Sequence, residues 1–157
     1  MPEAVTLRNA TSEDDPFLFR LYCDTRRHEV RAWGWMPEQQ EAFLRMQFEA
    51  RRRSYAASYP SSSDRIICLQ DAPIGRILVS NTVERLVLVD IALLEAHRNR
   101  GIGTLLIRQL IDDCDAYGRS LFLQVQRGNR ALSLYRRLGF PATGSDEMYI
   151  QMSAFAQ

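Results

Sequence analysis

The chain contains no lysine: all 20 of its basic residues are arginine. A nucleotide-triphosphate loop of the Gly-Lys-Ser/Thr kind is therefore excluded, since its lysine is what reaches the phosphates. Cys23, Cys68 and Cys114 stand at unrelated spacings, which argues against a disulfide framework or a thiolate metal site. His28 and His97 are far apart and outside any ligand cluster, so no metal is expected. No apolar run approaches the roughly 20 residues of a membrane helix. No basic-then-apolar leader opens the sequence either, so the expected location is the cytoplasm, with no membrane partner. Charge of one sign is also lacking: 20 basic and 19 acidic residues are interspersed for a net +1. That balance excludes a face built to coat nucleic acid. At 157 residues the expectation is one domain, 1–157, burying roughly two-thirds of its unfolded surface.

The apolar pattern sets out an order of elements. Val5 to Arg8 reads as a strand. Thr11-Ser12-Glu13-Asp14-Asp15-Pro16 is a helix start with a capping hydroxyl and acids in the first turn. Phe17, Leu18, Leu21 and Tyr22 follow at helical spacing, and this helix is expected to fade between Arg26 and Val30. Arg31 to Pro37 reads as a loop. A second helix carries Phe43, Leu44, Gln47 and Phe48 and is expected to end at Arg51-Arg52-Arg53, a solvated terminus favoured by the helix dipole. Arg65–Gln70 and Ile74–Ser80 form a hairpin about Asp71-Ala72-Pro73, and Arg85 to Leu94 is the longest strand. A helix over Thr104–Tyr117 buries Leu106, Ile107, Leu110, Ile111 and Cys114 and stops at Gly118. Leu121 to Val125, Phe140 to Ala142 and Met148 to Met152 supply further strands around one more helix. The fold class is α/β, a mixed sheet with helices on both faces.

Between the longest strand and the third helix lies Arg98-Asn99-Arg100-Gly101-Ile102-Gly103. The first N–H groups of a helix lack intrahelical partners, and the dipole adds partial positive charge there. Gly101 and Gly103 let an anion approach the backbone, and Arg98 and Arg100 add charge. A dinucleotide fingerprint is excluded, because the third residue after Gly103 is Leu106 rather than glycine. The ligand this turn points to is a pyrophosphate.

Downstream, Leu121-Phe122-Leu123-Gln124-Val125 leads to Asn129 and then Leu134-Tyr135…Leu138-Gly139-Phe140. Arg98 to Gly103 and Asn129 to Phe140, in this order and at this distance, resemble the paired motifs of the GNAT superfamily of acyl-CoA-dependent N-acetyltransferases. The resemblance implies a sheet of about six to seven strands whose central pair is splayed, with acetyl-CoA as co-substrate. Arg98, Asn99, Arg100, Gly101, Ile102, Gly103 and Thr104 would hold the pyrophosphate. Ile91, Ala92 and Leu93 would offer main-chain groups to the pantetheine arm, the N–H of Leu93 serving the oxyanion. Asn129 would reach the same arm, or simply cap the following helix.

Acyl transfer to an amine also needs proton handling. Tyr135 matches the family's general acid. The base is less defined: Gln124 and Val87 stand where relatives carry glutamates, leaving Asp90, Glu84, Glu29 or a water relay. Trp33 and Trp35 sit in the loop that lines the acceptor side in this fold, or else cap the core beneath the second helix. The acceptor is expected to be a small-molecule primary amine attacking directly in a ternary complex. A peptide N-acetyltransferase and a non-catalytic acyl-CoA sensor are the alternatives, and a homodimer is left open.

Overall fold

In the computed structural model, residues 4–82, 85–126, 131–140, 142–145 and 149–154 are described. The elements are β1 (Val5–Asn9), α1 (Asp15–Ala32), α2 (Pro37–Ser58), β2 (Ser62–Leu69), β3 (Ala72–Asn81), β4 (Arg85–Leu93), α3 (Ile102–Ala116), β5 (Ser120–Gln126), α4 (Ala131–Arg137), β6 (Ala142–Ser145) and β7 (Tyr149–Ala154). Seven strands form a sheet in the order β1-β2-β3-β4-β5-β7-β6. Every pairing is antiparallel except that of β4 with β5.

Helices cover both faces, so central strands are apolar on both sides. In β2, Ile66 and Cys68 pack with Leu18, Phe19, Tyr22, Leu44 and Phe48 of α1 and α2. Ile67 points the other way, into a core shared with Ile102, Leu106, Ile107 and Leu110 of α3 and Tyr135 of α4. The β2–β3 hairpin turns on Gln70 and Asp71, both at positive φ (50° and 67°), the geometry of a tight two-residue turn that matches strand twist.

Three expectations are corrected. The helix α1 does not fade before Val30 but runs to Ala32, leaving only Trp33 to Met36 between it and α2. The helix α2 does not stop at the arginine run; it continues past Arg53 to Ser58. Its register brings Leu44, Phe48, Arg51 and Tyr55 along one side at helical spacing, so Arg51 lies among packed aromatic rings rather than at a solvated end. Phe140 is a buried core residue, and the strand expected there begins at Ala142.

The entry to α1 is held by a capping box. Thr11 Oγ1 accepts from the Glu13 N–H (3.3 Å) and Asp14 accepts from the Thr11 N–H (2.8 Å) within a short 3-10 turn. Arg8 of β1 forks onto the same carboxylate at 2.8 and 2.9 Å, tying strand to helix. These bonds, Arg8 first, hold the Asp14 carboxyl down to about 2. A folded value below the unfolded one stabilises above the unfolded value, about pH 4, and the contribution is lost as pH falls through 2. Asp14→Ala is expected to cost about 1–2 kcal/mol at neutral pH. Its Tm deficit against wild type should shrink between pH 4 and 2 in thermal melts; a deficit constant across that range would refute the assignment.

Candidate active site

The strands β4 and β5 pair for four residues only, Arg85 to Leu88 against Ser120 to Leu123. Beyond Leu88, β4 stays with β3 while β5 stays with β7 to Gln126, so the two part. The parting begins at a bulge: Leu78 faces Asp90 and Val79 faces Leu88, leaving Val89 as the extra residue. Before the bulge, Leu86 and Leu88 belong to the α3 core; after it, Ile91 and Leu93 do. Asp90 and Ala92 are thereby turned to the opposite face, under α1 and α2.

The end of β4 is fixed from three directions. Gly75 of β3 lies so close that a Cβ there would run into the Ala92 carbonyl oxygen. The Leu94 N–H donates to Ile74 O at 2.8 Å. Asp24 of α1, buried, accepts from the Glu95 N–H at 2.8 Å and from Arg98 at 3.3 Å, while Arg98 Nε donates to Leu93 O at 2.9 Å. The Arg98 guanidinium therefore braces the turn from inside. That differs from the expected role as a phosphate-facing fork, because a buried carboxylate and a main-chain carbonyl lie within its reach. Arg100 remains exposed.

The turn passes through Asn99 at φ 62° and Gly101 at φ 83° and opens α3 at Ile102. The first intrahelical bond is Leu105 N–H to Gly101 O, 3.0 Å. By helix geometry the amides of Ile102, Gly103 and Thr104 have no carbonyl one turn back. No acidic side chain stands in the first turn of α3 and Gly101 offers no capping group. Gly103 lies against Leu134 of α4, a Cβ there coming within 3.2 Å of its methyl. The amide cradle thus sits at one end of the parted strands, with α4 beside it.

Tyr135 follows Leu134 and is 5 % exposed, its ring edge-on to Phe140. Burial first, then the negative charge of Asp90, pushes its phenol far above the usual range, so it keeps its proton at any working pH.

On the other face, α1, α2 and β2–β4 line a half-open cavity of about 360 Å³ bounded by Asp90 and Ala92. Its walls combine apolar groups (Leu18, Leu21, Phe48) with arginine–aspartate pairs. Arg51 meets Asp90 at 3.0 Å, Arg52 meets Asp15 at 3.2 Å, and Arg76 forks onto Asp64 at 2.8 and 3.0 Å. Arg51 Nε also donates to the Tyr55 hydroxyl at 2.6 Å, and its guanidinium lies 5.1 and 5.5 Å from the ring centres of Tyr55 and Tyr22. Burial of the Tyr55 phenol raises it to about 12. The cavity, with its converging polar groups, borders β4 at Asp90 and Ala92, where that strand has left β5.

This arrangement has counterparts. Residues 16–140 match the acetyltransferase (GNAT) family. The chain belongs to that family. Its fold is that of the PaiA N-acetyltransferase from Thermoplasma acidophilum, solved with coenzyme A, at a TM-score of 0.72 and 18 % identity over 97 % of this chain and 99 % of that one. An acetyltransferase from Thermus thermophilus aligns at 0.67 and 17 % over 97 % of each chain. The ribosomal-protein-S18-alanine N-acetyltransferase from Escherichia coli aligns at 0.65 and 18 % over 98 % of this chain and 96 % of that one. Among curated proteins none matches in sequence.

Within this GNAT fold, Ile91, Ala92, Leu93, the Arg98–Thr104 turn, Asp90 and Tyr135 converge on the parted strands. Asn129 and Glu84 lie outside the described residues. Glu29 does not join the site: it is 60 % exposed and paired with Arg26. Trp33 and Trp35 also lie elsewhere, packed on each other and on Phe43 at 5.2–5.3 Å. The extended α1 carries them roughly 12 Å along its axis from Thr25, the last α1 residue lining the cavity. Among the described residues no helix is long and apolar enough to cross a membrane.

Asp24, Arg51, Tyr55 and Arg76 were not anticipated. Asp24 continues the Leu18, Leu21 spacing of α1, and Arg51 that of Leu44 and Phe48; a charge on a buried stripe was the available signal. Because Asp90 is 12 % exposed and Arg51 33 %, Asp90→Ala should destabilise by about 2–3 kcal/mol through the guanidinium left unpaired. Urea denaturation checks this, and the double variant Arg51→Leu/Asp90→Leu should lose less than the two single changes combined.

Proposed function

We propose that the protein acetylates a primary amine of a small molecule, with acetyl-CoA and amine bound together. The observation that carries this reading is the parting of β4 from β5 beside a half-open cavity, with the amide cradle of α3 at the other end of the gap. A cavity of about 360 Å³ walled by two helices suits a small acceptor better than a peptide chain laid across the surface.

Acetyl-CoA would supply an activated acyl carbon and a thiolate leaving group. The residues fit such a ligand: Ile102, Gly103 and Thr104 offer unpaired amides to a pyrophosphate, and β4 past Leu88 offers a strand edge to the amides of the arm. The protein's work is then positioning and proton handling. Asp90 Oδ1 is taken by Arg51, whereas Oδ2 stands 3.9 Å from Arg76 and keeps a lone pair for an amine or a relaying water. Through Oδ2 the ammonium loses its proton and becomes nucleophilic. Tyr135 serves the opposite end. Its raised phenol holds its proton more tightly than a thiol near 8.5, so it acts chiefly as hydrogen-bond donor to sulfur as negative charge develops.

Two tests follow from this reading. Acetyl-CoA at 100 times its Kd should stabilise the protein by about 2.7 kcal/mol, seen as a raised Tm. Gly101→Val should fold, since a Cβ there meets nothing within 4 Å, yet lose that shift because a side chain at φ 83° strains and screens the cradle. An unshifted wild-type Tm would refute cofactor binding, whether catalytic or sensory. Tyr135→Phe should lower thiol release about 10²-fold with the acetyl-CoA Tm shift preserved; undiminished turnover would remove Tyr135 from the mechanism.

A further inference from the structure

The charged groups lining the cavity are unequally used. Asp15 has both oxygens on Arg52 (3.2 and 3.4 Å), and Asp64 has both on Arg76. Arg51 differs. Its Nε is spent on Tyr55 and its Nη2 on Asp90, while Nη1 makes no hydrogen bond among the described residues. A guanidinium carries five N–H donors in a rigid plane, two of them on Nη1. The rings of Tyr22 and Tyr55 hold that plane in place; burial works against the charge, but Asp90 together with the Tyr55 and Tyr22 hydroxyls more than offsets it, so the group stays protonated. Its partner shows the mirror-image asymmetry: Asp90 Oδ1 is engaged and Oδ2 is not closely bonded. One ion pair in the cavity wall therefore leaves one cationic edge without a hydrogen bond among the described residues and one anionic oxygen whose nearest cation, Arg76, stands 3.9 Å away.

Such a pair is complemented by a ligand with the reverse arrangement. We propose that the acceptor is a small zwitterion, an amine bearing a carboxylate on the same short skeleton, whose carboxylate is taken by Arg51 Nη1 and whose amine meets Asp90 Oδ2. This rests on the small-amine reading above and narrows it. A simple alkylamine would meet Asp90 alone and leave the Nη1 donors of Arg51, a side chain 33 % exposed, to water. A carboxylate adds a charge-assisted pair at that edge, and its planar pair of oxygens matches the guanidinium. The local charge stays balanced, since ligand and ion pair are each neutral. Arg51 is on this view the specificity-determining residue, and it holds Asp90 in place at the same time.

The test is thiol release with acetyl-CoA and matched acceptors: L-α-amino acids, the amines left by removing their carboxylate, and their carboxamides. The amino acids should be preferred at least tenfold in kcat/KM over both partners. Arg51→Gln should bring the ratio within each pair toward one, chiefly through a higher KM for the carboxylate member. Arg51→Lys, which keeps the charge against Asp90 but loses the fork, should narrow the ratio as well and serves if Arg51→Gln does not fold. Equal use of amino acids and their decarboxylated amines by the wild type would overturn the proposal while leaving small-amine acetylation standing. An acetyl-CoA Tm shift with no turnover of either series would overturn both, leaving cofactor binding alone.

Discussion

One surplus residue in β4 governs where chemistry can take place. Side chains along a strand alternate faces, so in a regular strand without the bulge the carboxylate of Asp90 would follow Leu86 and Leu88 into the core under α3. The bulge advances the alternation by one. Asp90 and Ala92 then face α1 and α2, and Ile91 and Leu93 recover the core positions. A bulge also bends and twists its strand, and the pairing of β4 with β5 ends at the residue before it. The same irregularity thus opens a gap in a parallel pair and turns a carboxylate toward the space beside it.

An unpaired strand edge in the middle of a sheet is unstable unless something holds it open. Here β3 does so from one side, through the close approach at Gly75 and the Leu94 to Ile74 bond. The helix α1 does so from above, through Asp24. This buried aspartate is matched by a main-chain N–H and by Arg98, so its burial is compensated in both hydrogen bonding and charge. The consequence is a turn fixed before any ligand arrives, with the α3 amides already presented. Affinity gained from such a site does not have to offset ordering of the loop.

The order of elements along the chain and the glycine-containing turn before α3 were readable because each rests on local chemistry: alternation, glycine at positive φ, an uncapped helix start; Tyr135 was singled out only through the resemblance. The cavity beneath α1 and α2 was not readable for a reason equally physical. It is made by residues far apart in sequence, Tyr22, Arg51, Arg76 and Asp90, whose meeting depends on where α2 ends. Reading Arg51-Arg52-Arg53 as a terminus followed a sound rule about basic residues and helix dipoles. The rule failed because Tyr55 continues the buried stripe one turn further, and packing of that stripe outweighs a dipole term of a few tenths of a kcal/mol. Of the two readings open for the tryptophans, packing against α2 is the one the geometry favours, since the extension of α1 to Ala32 brings Trp33 and Trp35 onto Phe43.

A cavity walled with ion pairs is seldom the most stable solution, since apolar side chains of similar size often do as well or better. Retaining Arg51, Arg52 and Arg76 beside the acyl site makes sense if their charge is used, and arginine is the cation compatible with that place. A lysine ε-amine desolvated in such a cavity would lose its proton readily and become an amine nucleophile next to a thioester. Guanidinium stays protonated under burial and presents no such nucleophile. The absence of lysine throughout the chain means that, in the proposed reaction, no side-chain amine of the protein would compete with the acceptor, and the cations that line the pocket would orient a ligand without being acylated themselves.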